Sequence, residues 1–127
     1  MGRVIHFEIH AAEPERAAAF YERVFGWRFQ PLPALDYWLV HTGEGEGISG
    51  GMIRRRGPGP RPGQAVNAFV CSIAVADLDA TLAIALDGRP EALAVAKTAI
   101  PGVGWQAYVH DVEGNIIGLH QADANAA

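Results

Sequence analysis

Three ionisable side chains alternate with apolar ones near the start of this 127-residue chain. His6, Glu8 and His10 fall on one face of a predicted strand, because successive strand residues point to opposite sides of a sheet. Neighbours on that face lie about 6–7 Å apart. A carboxylate beside an imidazole can move protons near neutral pH, so Glu8 is a candidate catalytic acid or base, with His6 beside it. The alternative is a polar floor whose groups bond to one another, to water or to a ligand.

Composition and charge narrow the classes of partner. Half of the residues are hydrophobic and 19% are charged, which is typical of one globular domain. The net charge of −4 argues against nucleic acid or an anionic membrane, since both select a basic surface. Cys71 is the single cysteine, so no internal disulfide can form, and we expect its thiol to be buried. The chain shows no signal-peptide run and no membrane-length apolar stretch, so we expect a cytoplasmic protein.

The elements that must position these residues occur twice. Residues 9–19 and 73–83 align at an offset of 64 positions, which predicts a duplicated unit of about 60 residues. Hydrophobic periodicity and turn residues give each copy the order β-α-β-β-β. The predicted strands are 4–11, 27–31, 37–41 and 48–55 in the first copy and 67–75, 93–100, 105–110 and 115–121 in the second, with helices over 13–26 and 77–86.

A stretch rich in glycine and proline, residues 57–65, separates the two copies. Such a stretch forms neither a helix nor a central strand and is typical of a linker. We therefore predict a single domain over 1–127, made of modules 3–56 and 66–121. Residues 122–127 are predicted to form a frayed tail.

Two segments at the ends of these elements have distinctive motifs, FYERVFGW over residues 20–27 and DVEGNIIGL over residues 111–119. They resemble the F-Y-x-x-x-x-G-(W/F) helix end and the D-x-x-G-N-x-x-x-L turn and strand of the vicinal oxygen chelate superfamily, which includes glyoxalase I, the bleomycin-resistance proteins and the extradiol dioxygenases. Residues 50–52 resemble a G-G-M found in one branch. The resemblance covers about residues 3–121 and implies an α+β fold of two βαβββ modules, whose cupped mixed sheet surrounds a cleft.

The resemblance also implies where a divalent metal would be held, namely at the start of the first strand and in the last strand of each module. In the first module these positions fall on His6 and Gly50. The equivalent positions in the second module, 64 and 68 residues later, are Val70 and Gly118. Only His6 has a donor atom, whereas a catalytic site needs about three protein ligands. We therefore expect no cofactor, and a metal only through a non-standard set such as His6, Glu8 and His120. The two glycines are expected to enlarge the cleft for an organic ligand.

Several side chains are expected from the resemblance to line that cleft. Trp38 and Trp105 belong to the third strands of the two modules, where aromatic rings would form walls for a flat ligand. The full set of expected ligand-binding residues is His10, Trp38, Met52, Phe69, Ser72, Trp105 and His120.

Two functions from different classes follow from these features. The first is a binding protein that holds a small organic molecule in an aromatic-walled cleft, with the usual metal ligands lost. The alternative is a lyase, isomerase or dioxygenase-type enzyme acting on a small carbonyl or diol compound through His6, Glu8 and His120. A regulatory or interaction domain is a third, plainer option. Members of the superfamily are often dimers, so a homodimer is expected, and the sequence names no ligand.

Overall fold

Two four-stranded sheets form in the computed structural model, which describes all 127 residues. Residues 1–59 form the first unit and residues 60–127 the second. The first unit contains β1 (Phe7–Ala11), α1 (Pro14–Phe25), β2 (Arg28–Leu32), β3 (Tyr37–His41) and β4 (Gly50–Arg54). The second contains β5 (Ser72–Ala74), α2 (Leu78–Leu86), β6 (Leu93–Ile100), β7 (Gly104–His110) and β8 (Ile116–Ala122). The predicted α+β class and the repeated β-α-β-β-β order are confirmed.

The two sheets have the same mixed topology. Their strand orders are β1-β4-β3-β2 and β5-β8-β7-β6. The first and last strands of each unit pair in parallel, and the remaining neighbours are antiparallel. Residues on the first, last and third strands of a unit therefore lie side by side, and a single sheet face can collect functional groups from all three.

Helix α1 covers one face of the first sheet. Pro14 lies in its first turn, where a missing N–H costs nothing, and Gly26 ends it in the left-handed conformation with φ 72°. Ala17, Phe20 and Tyr21 form its buried stripe. The Tyr21 ring stacks on Trp27 with centroids 5.1 Å apart. The first unit thus has an aromatic core.

Helix α2 covers the second sheet with smaller side chains. The Asp77 carboxylate caps it by accepting a hydrogen bond from the Ala80 N–H at 3.0 Å. Its buried residues, Leu78 and Ala85, belong to an aliphatic core that also contains Ala107, Val109 and Leu119. No aromatic ring is fully buried in this unit.

The turn between β7 and β8 explains the Asp-x-x-Gly-Asn motif. Asp111 is only 3% exposed, and its carboxylate accepts hydrogen bonds from the backbone N–H groups of Glu113 and Asn115 and from the Asn115 amide. Gly114 supplies the positive φ, 82°, that the turn requires. The motif therefore stabilises the hairpin turn between β7 and β8 and sets the register of β8.

Three predicted strands are longer than the observed ones, and one of them, 48–55, is observed only as Gly50–Arg54. Strand β1 begins at Phe7 rather than residue 4, and β5 spans only Ser72–Ala74 instead of 67–75. The carbonyl of Cys71 still accepts a hydrogen bond from the Gly118 N–H at 2.8 Å, but residues 60–71 are exposed. The expectation of a buried Cys71 is therefore wrong, because the strand that would bury its thiol starts after it.

The C-terminal segment is docked rather than frayed. The Trp105 indole N–H donates to the Asp123 carboxylate at 3.0 Å, and the Asp123 N–H donates to the Val103 carbonyl. Ala126 is 3% exposed, and its carbonyl accepts from the Gly102 N–H. These bonds hold a segment that has no periodic pattern of its own.

None of the helices is long and apolar enough to cross a membrane.

Candidate functional site

Each sheet has one face covered by its helix and one open face. In the first unit, Ile9, Met52 and Val40 are buried on the helix-covered face. The open face carries the neighbouring set Glu8, Gly51 and Leu39 and, one pleat further along, the set His10, Ile53 and Tyr37. The predicted alternation of β1 is therefore observed, and the candidate acid or base lies on the open side.

A tyrosine that sequence reasoning missed organises this open face. The Tyr37 hydroxyl lies 3.1 Å from the His6 Nε2 atom. A Cβ built on Gly51 would collide with that hydroxyl, so the phenol covers the glycine. Partial burial, and then the negative charge of Glu8, raise the pKa of Tyr37. The phenol therefore stays protonated and can donate a hydrogen bond to His6.

Glu8 bonds to a different histidine from the one expected as its catalytic partner. Its Oε1 atom lies 2.8 Å from the His10 Nε2 atom, with the two side chains 44% and 47% exposed. His6 is bonded to Tyr37 instead. The open face of the first unit thus carries two separate pairs, one carboxylate–imidazole and one phenol–imidazole.

The open face of the second unit carries a continuous series of hydrogen-bonded groups without a carboxylate. The Gln106 Nε2 atom donates to the Ser72 hydroxyl at 2.9 Å, and the Gln106 Oε1 atom lies 2.9 Å from His120 Nδ1. A Cβ on Gly118 would lie 2.5 Å from Ser72 Oγ and 2.8 Å from Gln106 Nε2. The glutamine side chain therefore reaches from β7 over β8 to β5, directly above this glycine.

The registers of the two sheets define which residues are equivalent. Glu8 pairs with Gly51, and Ser72, 64 positions after Glu8, pairs with Gly118. Gly118 therefore corresponds to Gly51, 67 positions earlier, and the predicted offset of 68 onto Gly50 is wrong by one residue. A shift of one residue along a strand places the side chain on the opposite face of the sheet. Accordingly, a Cβ on Gly50 would meet Phe7 on the helix-covered face.

Three residues expected to bind ligand lie on the helix-covered faces. Met52 is fully buried in the core. Trp38 is directly opposite Met52 and lies under the Arg54 guanidinium, 5.9 Å from its ring centre. Trp105 bonds to Asp123 and packs with the Lys97 ammonium 4.8 Å from its ring centre. The structure does not bring these three side chains together with the polar groups of the open faces.

The remaining expected residues divide into two groups. Ser72 and His120 lie on the open face of the second unit, and His10 lies on that of the first. Phe69 is fully exposed in the segment before β5, where Val66 is also exposed. Phe69 and Val70 precede β5, so they are not in register with any strand of their unit.

The residues present do not fit a divalent metal in the superfamily's positions. Gly51, Gly118 and Val70 offer no side-chain donor atoms. No group of three or more His, Cys, Asp or Glu side chains is arranged to hold a metal ion. The two glycines also leave no free space, because Tyr37 covers one and the Gln106–Ser72 bond crosses the other. The expectation that Gly50 and Gly118 enlarge a cleft is wrong at both places, because a Cβ on Gly50 would meet Phe7 and the Gln106–Ser72 bond crosses Gly118.

Tyr37 and Gln106 are the residues that the sequence did not single out. Both belong to the third strand of their unit, two residues before the residue that pairs with the covered glycine, Leu39 in one case and Tyr108 in the other. A polar side chain at that spacing, on the open face, is the pattern that would identify them.

Comparison with known proteins adds to this geometry. Residues 3–43 match the family model described as "Bleomycin resistance protein-like N-terminal". No curated protein matches the chain significantly. The fold is similar to that of TnmS3, an antibiotic binding protein from Streptomyces sp. CB03234, with a TM-score of 0.65, 23% identity, and 97% of this chain and 98% of that chain covered.

Two further solved structures share the fold. The fosfomycin resistance protein FosX from Listeria monocytogenes has a TM-score of 0.73 and 12% identity over 97% of this chain and 93% of its own. A glyoxalase/bleomycin resistance protein/dioxygenase family enzyme from Burkholderia phytofirmans PsJN has a TM-score of 0.71 and 16% identity over 93% and 97%. These matches show the fold alone, and it is the fold that the resemblance to the vicinal oxygen chelate superfamily implied.

Proposed function

We propose that this protein binds a small organic molecule on an open sheet face, without a metal ion. The observation that carries the proposal is the replacement of both expected last-strand ligand places by hydrogen-bonded side chains. Tyr37 covers Gly51 and bonds to His6, while Gln106 crosses Gly118 to Ser72. These arrangements leave hydroxyl, imidazole and amide groups on partly exposed surfaces, where they can bond to a ligand.

The comparisons support a ligand of the drug-like class. TnmS3 is an antibiotic binding protein, and FosX is a fosfomycin resistance protein. The match of residues 3–43 to a model named for bleomycin resistance favours the same class for this chain. Ordered polar groups above a packed sheet can fix the orientation of such a molecule, while apolar neighbours such as Leu39 and Ile53 supply buried area.

The test is a ligand screen on chelator-treated full-length protein. Thermal shift and calorimetry would use bleomycin, fosfomycin and a panel of aromatic natural products. We expect a stoichiometric ligand whose affinity does not change when EDTA is added, and which is weakened about fivefold or more in Tyr37→Phe or Gln106→Leu, roughly one hydrogen bond. Gln64→Leu, an exposed linker glutamine, is the matched control. A ligand that binds only with added metal would contradict the proposal.

The alternative is an enzyme that uses Glu8 as acid or base, and the Glu8–His10 pair is the observation that favours it. The two groups are within hydrogen-bond distance and reachable by solvent, as proton transfer requires. His6 and His120 are bonded to Tyr37 and Gln106, respectively. Glu8→Gln separates the two functions, because it would abolish catalysis on a carbonyl or diol compound but leave metal-free binding within about fivefold.

A homodimer also belongs to the proposal, on the strength of the resemblance alone. Light scattering on the full chain after size-exclusion chromatography gives its mass directly. A mass of twice 13.6 kDa is expected, and a monomer at all concentrations would contradict it.

A further inference from the structure

We propose that Gln106 sets the hydrogen-bonding polarity of the second unit's open face, so that this face selects neutral ligands that can both donate and accept hydrogen bonds. Primary amides and lactams are the simplest members of that class. The inference rests on the proposed function and names the ligand chemistry for one part of it.

The first step concerns the imidazole of His120. A carbonyl oxygen can only accept a hydrogen bond, so the 2.9 Å contact between Gln106 Oε1 and His120 Nδ1 requires the proton on Nδ1. In the neutral ring, the Nε2 atom then carries a lone pair and acts as an acceptor. Gln106 therefore fixes the tautomer, and half-buried His120 offers an acceptor to a ligand.

The second step concerns the hydroxyl of Ser72. Its oxygen accepts from the Gln106 amide nitrogen at 2.9 Å. The hydroxyl hydrogen is thus free to turn toward a ligand, and Ser72 is exposed. The Gln106 amide therefore leaves an acceptor on His120 and a donor on Ser72, at the two ends of this hydrogen-bonded series.

The third step concerns charge and space. The position equivalent to Ser72 in the first unit is Glu8, so the duplication has placed a neutral hydroxyl where the other unit has a carboxylate. The hydrogen bond between Gln106 and Ser72 can cross β8 only because residue 118 is glycine, since a Cβ there would lie 2.5 Å from Ser72 Oγ. A ligand carboxylate has acceptors only, so it can bond to the Ser72 hydroxyl but not to the His120 lone pair. A ligand amide can bond to either group.

The first experiment observes the tautomer, independently of any ligand. Long-range ¹⁵N–¹H spectra of labelled full-length protein at about pH 8, above the usual titration range of imidazoles, distinguish protonated from unprotonated ring nitrogens. We expect His120 to carry its proton on Nδ1, and Gln106→Leu to give a mixture of tautomers. Gln64→Leu should leave the His120 signals unchanged. A proton on Nε2 would mean that the amide is reversed, which would overturn the proposal.

The second experiment measures selectivity with a matched pair of probes, benzamide and benzoate. Benzamide should shift the His120 and Gln106 side-chain signals saturably and bind at least about fivefold tighter than benzoate, with the preference lost in Gln106→Leu. Tighter binding of benzoate, or binding of neither probe, would overturn the proposal. If other compounds of the ligand panel still bind, only the ligand class fails; if none binds, the proposed function fails too.

Discussion

The two units apply one arrangement to different side chains. In each, a glycine of the last strand lies beneath a polar side chain from the third strand. Tyr37 covers Gly51 in the first unit, and Gln106 covers Gly118 in the second. The partners on the first strand differ as well, since the phenol bonds to His6 and the amide to Ser72.

The difference lies in charge and core composition. The open face of the first unit carries a carboxylate–imidazole pair above an aromatic core, whereas that of the second carries a hydrogen-bonded series without a carboxylate above an aliphatic core. Strand order and register are shared, so the backbone geometry of the duplicated unit has been kept while its chemistry has diverged. Backbone pairing tolerates many side chains, but a glycine covered by a neighbouring group cannot be exchanged without displacing that group.

The largest expected difference between the units lies in their helices. Phe20 is fully buried in α1, whereas its equivalent in α2, Ile84, is 44% exposed. Phe20→Ala should lower the free energy of unfolding by about 3–5 kcal/mol, and Ile84→Ala by less than about 1 kcal/mol. Urea unfolding followed by circular dichroism measures both. Equal losses would show that the helices do not differ in this way.

The next expected effect concerns the covered glycines. Gly118→Ala should destabilise the protein by about 1–3 kcal/mol, because Ser72 Oγ lies close to its own strand and cannot move far. Gly51→Ala should cost about 1 kcal/mol, since the longer Tyr37 side chain can swing away and lose only its bond to His6. Gly57, which has open space around it, is the control for alanine substitution. If Gly118→Ala matches Gly57→Ala, the described crossing over Gly118 does not exist.

A pH effect should distinguish the two covering side chains, Tyr37 and Gln106. The pKa of Tyr37 is raised in the folded state, so its contribution to stability is complete below the unfolded pKa of about 10 and is lost as pH rises through the folded pKa. The stability difference between the wild type and Tyr37→Phe should therefore shrink between about pH 9 and 12. Gln106→Leu, which removes no titrating group, should keep a constant difference. A constant difference for Tyr37→Phe would contradict the raised pKa.

The smallest expected effect is that of the Glu8–His10 pair. Both side chains are nearly half exposed, so a double-mutant cycle with Glu8→Gln and His10→Asn should give a coupling of about 1 kcal/mol or less, reduced further by salt. The second unit has Ser72 and Ala74 at these places and no pair to lose. A coupling well above 1 kcal/mol would indicate a buried pair with a larger structural role.

Local signals in the sequence predicted most of the fold. Pro14 and Gly26 define the ends of α1, and strands 37–41 and 93–100 are observed with the predicted bounds. Helix ends and alternating strands depend on residues close together in the chain, so a single sequence contains them. The same applies to the turn at Asp111–Asn115.

The errors concern features that depend on distant residues. Residues 68–71 form an apolar run typical of a strand, but the structure has no strand there, and β8 contacts the segment through the Cys71 carbonyl. The faces of Trp38 and Trp105 follow from the register of β4 and β8, which the loop lengths set. The roles of Tyr37 and Gln106 depend on contacts across three strands. Such contacts leave no periodic trace in the chain.

The central claim is that hydrogen-bonded side chains have replaced the metal ligands of the superfamily. The most direct test is elemental analysis of untagged protein for Ni, Zn, Fe, Mn and Co, with thermal-shift titration of each metal into the chelator-treated chain. We predict no stoichiometric metal and no stabilisation by any of the five. One bound metal per chain that is lost in His6→Ala would contradict the claim and restore metal-dependent catalysis as the leading function.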